Sequence, residues 1–215
     1  MKIGVVDYGV GNLGSVMQAL EEVRGAPTLL TRATEIHAMD ALILPGVGNF
    51  ADCARLLNDG GWTQALQDEV GVSRKPLLGV CVGMQLLATC STEGSEKGEA
   101  ESTPGLGLIP GRVEHLRVLG CTLRVPHVGW NAVLPQISNG GLFDGIRGGT
   151  DFYFVHSYAF EPDDQANILA TTTYDVRLTA AVHCGNVWGT QFHPEKSSRA
   201  GFRLLRNFLE CAYTC

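Results

Sequence analysis

The chain has 215 residues, 22 acidic against 16 basic side chains and a formal net charge of -6, a length that suits one α/β domain, expected to span 1–215. The mild acidity and the lack of a basic cluster argue against nucleic acid, and no apolar run approaches a membrane span. Seven cysteines without a Cys-x-x-Cys pair argue against a metal site; the odd count, with no export signal, fits free thiols in a reducing cytoplasm.

"KIGVVD" (2–7) is apolar throughout, as a strand covered on both faces requires. Residues 12–24 repeat Leu13, Val16, Met17, Leu20 and Val23 at helical spacing, and Gly25 is a natural stop. Strands follow at 27–32 and 40–46, helices at 50–57 and 61–70, a strand at 76–80 and a helix at 82–89. This alternation predicts a doubly wound, mostly parallel sheet flanked by helices. Residues 91–107 are polar and Gly-rich and read as a loop. The second half holds β-like runs at 108–116, 121–131, 152–160, 167–174, 179–184 and 187–193, an added antiparallel segment with Gly185-Asn186 as a hairpin turn. A last helix, 197–211, places Phe202, Leu205 and Leu209 inward, joined by Leu204 and Phe208.

"LLGVCVGMQLL" (77–87) sets Cys81 between Gly79 and Gly83 where a buried strand becomes a helix. A sharp strand-to-helix bend thrusts its apex side chain out of the sheet and brings the residues two before and two after close together. Glycines there permit the bend, the helix N-terminus favours thiolate, and free N–H groups can receive an oxyanion. "GTQFHPEKS" (189–197) supplies a base: Pro194 holds His193 extended, and Glu195 falls on the same side to orient the ring. Alone, that pair reads as a strand-end histidine beside a surface glutamate; with the cysteine bend it completes a nucleophile–base–orienter set. "LPGVGNF" (44–50) ends the third strand and offers further N–H groups. A competing motif, Gly9-Val10-Gly11-Asn12-Leu13-Gly14, matches Gly-x-Gly-x-x-Gly after a strand, with Arg32 ending the next strand. It suggests a dinucleotide-binding turn, but that reading leaves Cys81, His193 and Glu195 without roles.

The Gly-x-Cys-x-Gly bend, the Pro-Gly-x-Gly strand end and the late His-Pro-Glu together resemble the class I (triad) glutamine amidotransferases, in that family's order and over nearly the whole chain. "DYGVGNLGSV" (7–16), "VPHVGWN" (125–131) and "FYFVHSYAF" (152–160) resemble the branch that serves as glutaminase subunit of imidazole glycerol phosphate synthase, in histidine biosynthesis. The resemblance implies that Cys81 attacks the glutamine side-chain amide, that His193 moves the proton, and that Glu195 orients His193. It implies oxyanion donors from Gly46, Val47, Gly48 and the backbone at Val82. Gln85, Glu93, Ser157 and Tyr158 match glutamine-holding positions, with Glu96 as the alternative register to Glu93. His127, Trp130, Asn131 and Lys196 match positions facing a cyclase subunit, and Asn12 one near the oxyanion strand. The implied assembly is a heterodimer with the cyclase, without cofactor, because ammonia must reach a second active site sheltered from water. Val80 and Val82 stand where the family carries Ile and Leu.

Overall fold

The computed structural model describes residues 1–94, 102–136 and 141–214. Its first half runs β1 (Lys2–Val6), α1 (Leu13–Glu22), β2 (Ala26–Leu30), a 3-10 turn (Ala33–Ala38), β3 (Ala41–Gly46), α2 (Phe50–Asp59), α3 (Trp62–Leu66), a π-helical stretch (Gln67–Val72), β4 (Leu77–Cys81) and the single turn α4 (Val82–Gln85). The second half runs β5 (Cys90–Ser91), β6 (Thr103–Pro104), β7 (Gly111–His115), β8 (His127–Pro135), β9 (Thr150–His156), β10 (Tyr158–Pro162), β11 (Ile168–Tyr174), β12 (Val176–Cys184), β13 (Val187–Thr190) and α5 (Ser198–Thr214).

Among the described residues the large sheet has the order β2-β1-β3-β4-β13-β12-β11-β8-β9. Its first five strands are parallel and the rest antiparallel. β3 and β4 are buried at every position, as "ALILPG" and "LLGVC" demand of strands covered on both faces. The chain winds outward from the β1–β3 pair in both directions. Right-handed crossovers therefore put α1 on one face and α2–α3 on the other. α1 packs with α5, and α2 with α3. Functional groups collect at the carboxyl ends of β3 and β4, beside the reversal in strand order.

Four elements differ from their sequence reading for visible reasons. The expected strand 152–160 is two strands: β9 ends at His156, and β10 crosses at Ser157 into a smaller sheet, β10-β7-β5-β6. The expected strand 121–131 starts only at His127, since Thr122 is tied to Asp175 and the Cys121 carbonyl to Arg117. The helix expected over 82–89 stops at Gln85. The Leu87 and Ala88 N–H groups bond three residues back, to Met84 and Gln85, and the Thr89 N–H leaves for the Gly111 carbonyl, while the carbonyls of Leu86, Leu87, Ala88 and Thr89 accept from Leu106, Ile109, Gly107 and Gly105. In α5 the buried centre is Gly201, Leu204, Leu205 and Phe208, with Phe202 and Leu209 at its flanks; a Cβ on Gly201 would lie 1.8 Å from the Pro194 carbonyl, which fixes which face turns inward.

Candidate active site

Cys81 sits at the apex of the β4–α4 bend with φ 56°, a backbone conformation rarely taken by a residue with a side chain. The glycines around it are sterically required. A Cβ on Gly79 would lie 2.5 Å from the Gly83 carbonyl oxygen, and one on Gly83 would lie 1.8 Å from that of Leu44. With α4 only one turn long, the dipole at Cys81 is small, and the local first-turn N–H groups of Val82 and Gly83 carry the anion-receiving capacity. The Cys81 thiol has the Val155 carbonyl at 3.8 Å as acceptor and the Gln191 amide at 3.9 Å as donor.

β13 ends at Thr190, so the chain bends through Gln191 and Phe192 to bring His193 over the carboxyl end of the sheet. His193 is extended, as Pro194 requires, but Glu195 lies in a 3-10 turn (Pro194–Lys196), so turn geometry, not strand alternation, brings the pair together. His193 Nδ1 and Glu195 Oε1 are 2.8 Å apart, with side chains 2% and 1% exposed. The carboxylate accepts the Nδ1–H hydrogen bond and leaves Nε2 as the nitrogen facing the thiol's pocket. Burial alone would lower the His193 pKa, but the Cys81 sulfur and the Glu195 carboxylate outweigh it and raise it to about 9. Both groups favour the charged ring, so His193 can hold a proton taken from the Cys81 thiol. The pocket both enter has a volume of about 320 Å³ and is also lined by Val47, Gly48, Val82 and Gln85.

A family model described as glutamine amidotransferase class-I matches residues 4–211. A Rhodospirillum rubrum protein named imidazole glycerol phosphate synthase subunit HisH is 45% identical over 99% of this chain and 100% of its own. One of the same name from Moorella thermoacetica is 45% identical over 97% of this chain and 94% of its own. The chain belongs to the class-I glutamine amidotransferases, in the HisH family. The fold agrees: a solved glutamine amidotransferase covering 98% of both chains superimposes with a TM-score of 0.74 at 23% identity.

The pocket of this HisH-family chain gathers Glu93, Ser157 and Tyr158 with the residues above. Glu93 accepts the N–H of Phe50 at the start of α2, and burial pushes its carboxyl up, partly offset by that bond. Glu96 lies outside the described residues. Gln85 is 2% exposed and donates to the Tyr158 carbonyl and to Gln191. Gly46 packs on the bend, where a Cβ would lie 2.6 Å from the Gly83 nitrogen. Asn12 donates to Glu195 Oε1 at 3.4 Å, from a turn that α1 presses against Pro194–Lys196. That occupied turn speaks against the dinucleotide reading. So does Gly14, where a Cβ would meet nothing within 4 Å, although the fingerprint needs its third glycine for close packing.

Trp130 is 55% exposed, its ring edge-on to Tyr153, and the Lys196 ammonium sits over the Tyr153 ring, 6.0 Å from its centroid. Val128, Leu134 and Val155 extend this open apolar face of β8 and β9. His127 is different: its ring is 2% exposed and stacked between Phe154 and Tyr174, so the side chain lies under the face, not on it. Asn131 points inward beside it. Sequence reasoning left out Pro126, His156 and Gln191, all at the pocket or its thiol. His156 and Gln191 lie inside the quoted stretches "FYFVHSYAF" and "GTQFHPEKS", each one or two residues from a chosen position, which was the available signal.

Burial lowers the His127 pKa to about 4 and that of His156 to about 3. Both fall below the unfolded value of about 6.5. The stability they contribute is thus present above pH 6.5 and lost as pH falls towards those two values, because the unfolded chain takes up protons that the folded one refuses. The thermal midpoint is expected to drop between pH 7 and pH 4.5, and to drop less in His156→Asn; equal drops in the two proteins contradict this account.

Proposed function

We propose that the chain is the glutaminase subunit of imidazole glycerol phosphate synthase, releasing ammonia from glutamine for a cyclase subunit. One observation carries the reading: the strained Cys81 and the Glu195-held His193 open into one pocket. His193 Nε2 takes the Cys81 thiol proton as the sulfur attacks the carboxamide carbon, and the oxygen takes up the electron pair as an oxyanion. Backbone N–H groups of Gly46, Val47, Gly48 and Val82 are its donors. As the tetrahedral intermediate collapses, the C–N bond breaks and His193 Nε2 protonates the leaving nitrogen, giving ammonia and a γ-glutamyl thioester. Glu195 holds the ring through both steps. Water, deprotonated by His193, then splits the thioester to glutamate, and the proton on His193 returns to the Cys81 sulfur. Gln85, Glu93, Ser157 and Tyr158 hold the glutamine.

Most ammonia in water at neutral pH is ammonium, which cannot act as a nucleophile, so the product must move to the acceptor without meeting solvent. The open apolar face with Val128, Trp130 and Val155, with Lys196 over the neighbouring Tyr153 ring, suits a partner subunit, with a half-exposed tryptophan as its anchor. The chain works in the cytoplasm as a single glutaminase domain; no helix in the described residues is long and apolar enough to cross a membrane.

Mixing the chain with the cyclase subunit and glutamine, with and without the acceptor ribonucleotide, tests this. Glutamate release is expected to be low for the chain alone and to rise about tenfold or more when both are present. Absence of glutamate in every combination overturns the reading.

A further inference from the structure

β8 and β9 bury a chain of hydrogen bonds whose direction is forced at each step. His156 Nδ1 lies 2.8 Å from the Tyr158 carbonyl, an acceptor only, so Nδ1 carries the proton and Nε2 accepts. His127 Nδ1, 2.9 Å from that Nε2, must therefore donate. His127 Nε2 is left to accept, and Asn131 Nδ2 lies 3.3 Å away. The Asn131 amide is itself oriented: its Oδ1 accepts the Ala132 N–H at 2.9 Å, and its Nδ2 also donates to the Thr173 carbonyl at 2.9 Å. The His127 ring is clamped at centroid distances of 4.9 Å from Phe154 and 4.1 Å from Tyr174, so it cannot turn to another partner.

The chain ends on the pocket. The Tyr158 carbonyl takes a second bond from Gln85 at 3.0 Å, filling both its lone pairs. Gln85 also donates to Gln191, whose amide faces the Cys81 sulfur. Tyr158 opens β10 and pairs in register with His115 of β7, but at this end the Leu116 N–H goes to the Ser157 carbonyl, and the Tyr158 carbonyl is held by the two side chains, His156 and Gln85. We propose that His127 and His156 are positioning residues, a directed Asn131–His127–His156 relay that sets the Tyr158 carbonyl and Gln85 for glutamine binding. This rests on the glutaminase reading above. It also gives buried His127 a task under the face whose outward residues are Val128 and Trp130.

Two measurements test it. In nitrogen-resolved spectra of the free chain with labelled histidine, both rings are expected as the Nδ1–H tautomer at pH 7, the form water disfavours; an Nε2–H tautomer at either site overturns the relay. In the complex with the cyclase and its acceptor, His127→Phe and His156→Phe are expected to raise the glutamine KM about tenfold, with kcat changing no more than about threefold. His156→Asn, whose amide can still donate to the Tyr158 carbonyl, is expected to recover most of that KM. Unchanged KM in both phenylalanine variants, or a loss confined to kcat, overturns the positioning role. If a phenylalanine variant does not fold, His156→Asn and the spectra decide. A wild-type complex that forms no glutamate sinks the glutaminase reading, while the spectra judge the relay separately.

Discussion

Cys81→Ala is expected to cut glutamine-dependent glutamate release by about four orders of magnitude or more, while the cyclase complex still turns over with added ammonium salt. The substitution removes only the sulfur, whose two polar contacts are long, at 3.8 Å and 3.9 Å. Alanine meets the same φ of 56° as cysteine does, so the bend and the pocket walls should persist. What disappears is the atom that forms the thioester. No neighbour can replace it. Cys53 is also buried, but its thiol donates to the Val47 carbonyl at 3.4 Å, and burial above all raises its pKa, keeping it a protonated and poor nucleophile. Glutamate release, ammonium-driven turnover and thermal midpoint should be measured on one preparation. Retained glutaminase activity with a normal midpoint would sink the covalent mechanism.

Much of this arrangement was legible in the sequence because it is local. The Gly79–Gly83 spacing encodes a backbone collision that only glycine avoids, and Pro194 encodes the extended state of His193. The parallel core was legible for the same reason, since strands such as "ALILPG" have no polar face to misplace. The failures are tertiary. The end of α4 depends on Gly111 taking the Thr89 N–H and on residues 105–109 covering the carbonyls just beyond it, which no periodicity near 82–89 announces. The break at Ser157 depends on a second sheet being available. His127 is the clearest case: a histidine alternating with Val128 on a strand is placed by parity, and only the stack between Phe154 and Tyr174 says which parity faces inward. His156 was hidden because its role arises from a partner 29 positions away.

Gly83→Ala should be among the most damaging small substitutions in the described residues, and Gly14→Ala its opposite. A Cβ at position 83 would stand 1.8 Å from the Leu44 carbonyl oxygen and 2.9 Å from its carbon. These are backbone atoms of β3, paired in register with β4, so no side chain can swing aside. Either β3 separates from the bend or the bend opens. The expected cost is about 3 kcal/mol or more, a fall in melting temperature of roughly 6 °C or more for a chain of this size. At position 14 a Cβ meets nothing within 4 Å, and the residue lies in α1, where alanine is the better helix former. There the change is expected to stabilise by up to about 1 kcal/mol. Activity discriminates further. At 25 °C most Gly83→Ala molecules should still be folded, yet moving the bend by about an ångström takes the Cys81 sulfur out of line with His193, a loss of roughly a hundredfold beyond the unfolded fraction. A Gly83→Ala protein that melts with the parent and keeps its turnover would mean that the close approach of β3 and α4 does not hold the thiol in place.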